Sequence, residues 1–447
     1  MEDRRERTAF VLEMKKYRDL ADYFEYRGRR FAERCTNCGA CLEVCPVYPL
    51  TGLAGKDPKV VIGKITDLLK GGSVSDEAYE MVFACNGGCD ICSKACPEKL
   101  NPYSAFTSAI ARIAKSGKQP PPQVYQVTPK HRHSFARVFS ALQSKPSERR
   151  WLSRAPANPR SAEVVLFAGC NATGMMHTFL ETMAILDKMG IDYVALGGDE
   201  LCCGTAAMLW GDLNAAQTMG EELVSNIAAF RPKKAVHFCT GCHVMCWAML
   251  PRFIPVPFES CELTQFLVEN VGTIPFQQRI DKVVAVHDAC SLARLGTYEN
   301  PRKLLQAIPG ITLVDMKHNR ADSLCCGGAT NTWRPDISEP LRRAPLREAE
   351  ATGAQILATT CTGCQKSFAP LEKDYGFEVR SYISLLAEAV GVRQEDKFKR
   401  YVNCATVDEV LADARDRIEA GGYSTGEMER VLTGYFGRLC PGHGRQS

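Results

Sequence analysis

The chain has 447 residues, 45% of them apolar and 24% charged, with a net charge of +4 at neutral pH. That length supplies about three domains with cores of their own, and so small a charge gives no global attraction for nucleic acid. No apolar run approaches the roughly 18 residues that span a bilayer, and Met1-Glu2-Asp3-Arg4-Arg5 leads into no secretory core. A cytoplasmic protein is expected, where 22 cysteines are poor disulfide material and point to metal ligation.

Residues 8–33 read as a helix, with Phe10, Val11, Met14, Tyr17, Leu20, Tyr23 and Phe24 at helical spacing beside Arg4, Arg5, Arg7, Lys15 and Lys16. A basic amphipathic opening suits a membrane surface or a docking partner; packing on its own domain explains the same pattern. Next comes Cys35-x2-Cys38-x2-Cys41-x3-Cys45-Pro46, the spacing of cluster-binding ferredoxins, and a second run follows at Cys85, Cys89, Cys92 and Cys96-Pro97. In such pairs the cysteine before proline ligates the other cluster. One [4Fe-4S] cubane is therefore expected on Cys35, Cys38, Cys41 and Cys96, and another on Cys85, Cys89, Cys92 and Cys45. The second run carries one extra residue between Cys85 and Cys89, which Gly87-Gly88 can absorb. Helices are expected over 57–70, 75–84 and 102–116, so residues 1–118 read as an all-helical dicluster domain.

Residues 119–160 read as a linker. They hold Pro120-Pro121-Pro122, four further prolines, and eight Lys or Arg against the single acid Glu148. A solvated strap is expected, with docking to an acidic partner or anionic lipid as the functional alternative.

From residue 163 strands and helices alternate. Strands are expected at 163–167, 191–196 and 234–238, and again at 282–286, 311–314 and 355–359; helices are expected over 174–190 and 213–230, near 301–307 and near 337–351. Alternation of this kind implies a parallel sheet in each half, over 161–275 and 276–395. Each half carries five cysteines in one pattern: Cys170, Cys202-Cys203-Gly204 and Cys239-x2-Cys242, then Cys290, Cys325-Cys326-Gly327 and Cys361-x2-Cys364. The intervals are 31 and 35 residues in the first copy, 34 and 34 in the second, which marks an internal repeat. Five thiols exceed by one the needs of a tetrahedral zinc or a cubane. A multi-iron cluster in each copy therefore outranks zinc or buried structural thiols. Residues 396–447 form a charged tail, with Thr406-Val-Asp-Glu409 as a capping box opening a helix. Cys246, Cys261, Cys404 and Cys440 read as buried small apolar groups.

This combination resembles the CCG-domain iron–sulfur oxidoreductases, in particular the fused form of heterodisulfide reductase that joins its C-like and B-like parts. The second copy adds His287-Asp288-Ala289-Cys290 with Arg294 and Asn300-Pro301-Arg302 to the likeness. The resemblance implies Rossmann-like α/β CCG domains related by a pseudo-twofold axis. It implies a non-cubane [4Fe-4S] cluster on Cys170, Cys202, Cys203, Cys239 and Cys242, and another on Cys290, Cys325, Cys326, Cys361 and Cys364. The implied activity is reduction of a disulfide, or oxidation of thiols, with electrons exchanged through the cubanes with a membrane b-type cytochrome or a flavoprotein. Two further readings remain: the iron–sulfur subunit of a lactate, glycolate or glycerol-3-phosphate dehydrogenase, and a pure relay subunit. Arg294, His243 and His287 are the basic groups expected near a substrate tail, if they are not structural.

Overall fold

In a computed structural model of the chain, residues 17–85, 89–121, 131–152, 154–198 and 201–439 are described. Residues 1–16 with their basic cluster, Gly87-Gly88, Pro122, Lys130 and Cys440 lie outside them.

The N-terminal region is helical, because apolar residues recur at helical spacing and each helix has its own start signal. Leu20–Arg34 begins after Asp19, whose carboxylate accepts the Asp22 N–H at 2.7 Å. Pro58–Leu69 begins with proline in its first turn and Asp57 accepting the Lys59 N–H at 2.9 Å. Asp76–Cys85 ends on a cysteine of the second run, and Pro102–Lys115 is capped by Asn101. Of the expected span 8–33, the described part is helical from Leu20 onward, and residues 8–16 lie outside the described residues. Leu20, Tyr23 and Phe24 reach beyond the helical region into the core of the first repeat copy, where Arg252 lies 4.7 Å over the Tyr23 ring.

Each repeat copy is an α/β unit built on a four-stranded parallel sheet. The first is ordered β2-β1-β3-β4, with β1 Val164–Phe167, β2 Tyr193–Leu196, β3 Lys234–His237 and β4 Glu259–Glu262; the second repeats it as β6-β5-β7-β8, with β5 Lys282–His287, β6 Ile311–Val314, β7 Ile356–Thr359 and β8 Glu378–Ser381. The chain reverses its direction of winding between β1 and β3, and again between β5 and β7, which puts the ligand-binding crevice of an open α/β sheet at those strand ends. β4 and β8 are not legible in the sequence. As edge strands reading Glu-Ser-Cys-Glu and Glu-Val-Arg-Ser they lack the apolar run of a buried strand.

The two copies share one core. The helix Met176–Lys188 of the first packs on Tyr382–Val390 of the second, so Phe179, Ile185 and Leu186 join Tyr382, Leu385 and Leu386. The stretch expected to be a solvated strap contains the buried helix Phe135–Gln143. Phe135, Val138, Phe139 and Leu142 face the tail helices Lys397–Val402, Val407–Ala420 and Thr425–Leu439, forming a separate apolar cluster. Basic residues on both sides concealed this helix: Arg137 and Arg149 read as linker charge, while every residue of Phe135–Gln143 except Arg137 is buried. The tail capping box is half formed, since Thr406 accepts the Glu409 N–H but the Glu409 carboxylate accepts from Ala405.

Glu181 lies in the seam between the copies, fully buried, accepting the Ser384 hydroxyl at 2.6 Å and the Gln394 N–H at 3.0 Å. Burial raises its pKa from 4.5 to about 7. An acid whose folded pKa is raised stays protonated in the folded chain while the unfolded chain has ionised, so stability falls as pH rises from 4.5 through 7. Glu181→Gln should flatten that decline, by on the order of 2 kcal/mol between pH 5 and 8, read as the difference in Tm between those pH values for wild type and variant.

Candidate iron–sulfur centre

The thiols fall into four groups, each made by loops that the local sequence forces into shape. In the dicluster region Cys41 lies in the electrostatic field of Cys35, Cys38 and Cys96, and burial followed by those neighbours raises it to about 12. A small cleft is lined by the same four residues. Cys92 is raised by burial and by Cys85, Cys89 and Cys45, and Cys45 in turn feels Cys89. The turns use left-handed backbone at Asn37 and Gly39, and a Cβ on Gly39 would stand 2.9 Å from Pro58.

In the first repeat copy Cys170 follows β1 and Cys239 follows β3, at the reversal of winding. Cys202 meets both Cys170 and Cys203, Cys203 meets Cys242, and Cys242 meets Cys239. Crowded thiols share protons unevenly. Cys203 is held well below the ordinary thiol range by its contacts with Cys202 and Cys242, while Cys202 and Cys242 are pushed up as the donors. The Gly204 N–H points at Cys202 Sγ, 3.4 Å away, and the Thr205 hydroxyl is 3.2 Å from Cys203 Sγ. In the second copy Cys290 and Cys325 lie near Cys326, and Cys364 joins Cys326 to Cys361, whose pKa its contact with Cys364 lowers to about 7. The donor set is soft sulfur in every group, crowded throughout and lowered toward thiolate at Cys203, Cys239, Cys326 and Cys361 of the repeat copies, with backbone N–H groups directed at sulfur. These are the features that fit iron–sulfur ligation.

The groups are also contiguous. Cys89 of the dicluster region is an electrostatic neighbour of Cys290 and Cys325, and Cys239 of the first copy is a neighbour of Cys361. Lys94 braces the first junction, reaching the Ala321 carbonyl and the Asp322 carboxylate just before Cys325.

Each repeat site has a buried histidine against the second cysteine of its pair. His287 at the end of β5 forms a group with Cys326 and Cys364 whose donor atoms lie within 4.8 Å of one another, and it contacts the Phe368 ring edge-on. In the first copy Phe167 occupies the matching end of β1, and His237 from the neighbouring β3 faces Cys203 instead. Burial keeps His237 neutral, lowering it to about 3. His237 escaped the sequence reading because the histidine changes strand between copies. His243 turns away from the thiols, 3.0 Å from the Ser260 hydroxyl and stacked on Trp247. Arg294 lies 5.1 Å over Tyr103 of the dicluster region, in the field of Cys290 and Asp90, so it stands at the junction between regions. Arg302 pairs with buried Asp288 at 2.9 Å, which gives the Asn-Pro-Arg segment a structural role in holding the loop that carries Cys290.

A cavity of about 280 Å³ opens over the first site, lined by all five of its cysteines together with Phe135, Trp210, Trp333 and Lys366. A larger polar cavity of about 570 Å³ near His177 and Arg380 reaches no cysteine. Its charges already pair, Lys399 with Glu372 and Arg380 with Glu388. Lys366 and Asn171, missed in the sequence, reach the smaller cavity alongside Thr205 and Thr332. The repeat carried a signal for Lys366, since the position two residues after the second C-x-x-C holds lysine where the first holds Val244. Cys246 and Cys261 are buried as expected, and Cys404 is partly so.

Comparison with known families agrees with this arrangement: residues 164–246 and 284–369 match the cysteine-rich CCG domain, and residues 31–100 match the 4Fe-4S dicluster domain. The chain belongs to the CCG-domain iron–sulfur proteins. It is 27% identical over 396 residues to a subunit of the dihydromethanophenazine:CoB–CoM heterodisulfide reductase of Methanosarcina acetivorans, covering 81% of this chain and 95% of that one. A subunit of the CoM/CoB fumarate reductase of Methanothermobacter marburgensis is 23% identical over 348 residues, 76% of this chain and 68% of its own. Lactate utilization protein A 1 of Bacillus mycoides is 28% identical over 202 residues, covering 41% of this CCG protein and 78% of its own length. The protein is thus an iron–sulfur protein related to heterodisulfide reductase, and no helix among its described residues is long and apolar enough to cross a membrane.

Gly204 takes φ of +87°, and a Cβ there would stand 2.1 Å from the Ala216 carbonyl oxygen; Gly327 takes φ of +67° with its closest neighbours at 3.0 Å. Gly204→Ala should therefore cost about 3 kcal/mol and displace Cys203, whereas Gly327→Ala should cost about half as much. Denaturant midpoints of the two purified variants check the order.

Proposed function

We propose that this CCG protein is the iron–sulfur subunit of an oxidoreductase that reduces a small disulfide, or oxidises the corresponding thiols, on behalf of a redox partner. The contiguity of the four thiol groups carries the reading: the series runs from the dicluster region through Cys89 and Cys290 to Cys361 and Cys239, and ends at a cavity. Cys35, Cys38, Cys41 and Cys96 would hold one cubane, and Cys45, Cys85, Cys89 and Cys92 the other. Cys170, Cys202, Cys203, Cys239 and Cys242 would hold one non-cubane cluster, and Cys290, Cys325, Cys326, Cys361 and Cys364 the second. When bound, such clusters supply one-electron transfer and an iron able to take a sulfur ligand.

The residues of the chain do the rest. Phe135, Leu209, Trp210 and Trp333 wall the cavity with apolar surface, excluding water from a site where thiolate is formed. The Gly204 and Gly327 N–H groups stabilise charge on Cys202 and Cys325. Arg294, clamped against Tyr103, offsets the negative charge that accumulates between Cys89 and Cys290. Two of the relatives are named as subunits, which favours a partner protein, and a membrane b-type cytochrome or a flavoprotein fits the absence of a flavin or haem attachment motif in the sequence.

Anaerobically purified protein should carry roughly sixteen irons per chain, with Cys203→Ala and Cys326→Ala each losing about four. Iron and labile-sulfide assays read this; zinc, or a wild-type count near eight, would defeat the double-site reading.

A further inference from the structure

The geometry points to Lys366, carried by the second CCG domain, as the cation that holds the substrate's thiolate sulfur in the cavity of the first. This rests on the disulfide-chemistry reading above and assigns its binding residue. Lys366 is the one Lys, Arg, His, Asp or Glu among the described lining residues of a cavity whose other walls are cysteine, aromatic, aliphatic and uncharged polar side chains. A lone cation among such walls selects a small ligand with one negative charge and an apolar body.

Three observations fix its position. The Lys366 ammonium donates to Asn171 Oδ1 at 3.0 Å, and the Asn171 amide points at Cys239 Sγ, 3.7 Å away. The same ammonium lies 4.7 Å over the Phe135 ring. Its electrostatic neighbours are Cys170, Cys239 and Cys361, so it sits between the two sites and lines the cavity of the first. An ammonium has three N–H donors. Asn171 takes one and the aromatic face another, which leaves a donor for a ligand in the cavity.

The repeat separates this role from cluster holding. Ten cysteines recur in register in the two copies, but Lys366 faces Val244 at the matching position, so ligation as such does not call for a lysine there. The pseudo-twofold arrangement delivers a cation to the first site and leaves the second without its counterpart. Reductive cleavage of a disulfide breaks one S–S bond, takes up two electrons from the redox partner and leaves two thiolates. The thiolate formed in the first site meets the ammonium; the other is released or held at the second site.

The test uses the full chain, loaded with iron, in three forms: wild type, Lys366→Met and Lys366→Arg. Iron content is measured first and should be the same in all three. Each oxidised sample is then titrated with propane-1-thiol and, separately, with 3-mercaptopropionate, reading the thiol-dependent electron paramagnetic resonance signal. Lys366→Met should raise the half-saturating concentration of both thiols by roughly ten- to hundredfold, the worth of a charge-assisted hydrogen bond, and Lys366→Arg should recover most of it. An unchanged half-saturation in Lys366→Met overturns the assignment while leaving the disulfide reading intact. A loss confined to 3-mercaptopropionate overturns it too, because it would place the ammonium on the carboxylate tail. A wild type with no thiol-dependent signal overturns the functional reading and the assignment together.

Discussion

A parallel sheet needs cover on both faces, and strands only four to six residues long offer little surface from which to build it. Neither copy of the repeat in this chain covers its own sheet completely. The remaining cover comes from the other copy, through the helices Met176–Lys188 and Tyr382–Val390, and from the dicluster region, whose Leu20 and Phe24 close the first copy and whose core takes in Ile337 and Leu341 of the second. This shared burial determines where the cysteines stand. Strand ends that carry Cys170, Cys239, Cys290 and Cys361 face one another because the helices behind them are locked together.

Much of this was legible in the sequence. Cysteine spacing located both ferredoxin runs and both repeat copies, and alternating apolar segments located six of the eight strands. The reasons are local: a thiol triplet must come from a short loop, and a central parallel strand must be apolar throughout. What escaped was set by tertiary contact. The edge strands β4 and β8 read Glu-Ser-Cys-Glu and Glu-Val-Arg-Ser and so carry no apolar run, unlike the edge strands β2 and β6. The helix Phe135–Gln143 hid because basic residues flank it on both sides, although every residue in it but Arg137 is buried. Lys366 and Asn171 lie beside cysteine motifs whose regularity drew attention to sulfur alone, and no sequence rule says which copy's lysine enters which copy's cavity.

The pseudo-symmetry is most informative where it fails. His287 and Phe167 exchange places at the ends of β5 and β1, with His237 replacing the lost histidine from the adjacent strand. A buried imidazole beside the second cysteine of each pair is therefore preserved by two different routes. Arg294, by contrast, matches Gly174 in the first copy, where a Cβ would stand 2.6 Å from the Phe135 ring. One position thus serves a junction in one copy and clears room for a cavity wall in the other, so the two halves have diverged around different neighbours.

The helix Phe135–Gln143 joins two parts of the protein that share no cysteine. Its Phe135 ring forms part of the cavity wall over the first site, and the rest of its apolar face is locked among Phe398, Tyr401, Leu432 and Tyr435 of the tail. The Arg417 side chain pins the helix end by donating to the Leu142 carbonyl at 2.8 Å. The tail is in this sense a splint. Its described residues line no part of the cavity, yet they hold the wall in place, so substitutions far along the chain from the last cluster cysteine can alter the shape of the cavity without touching its lining.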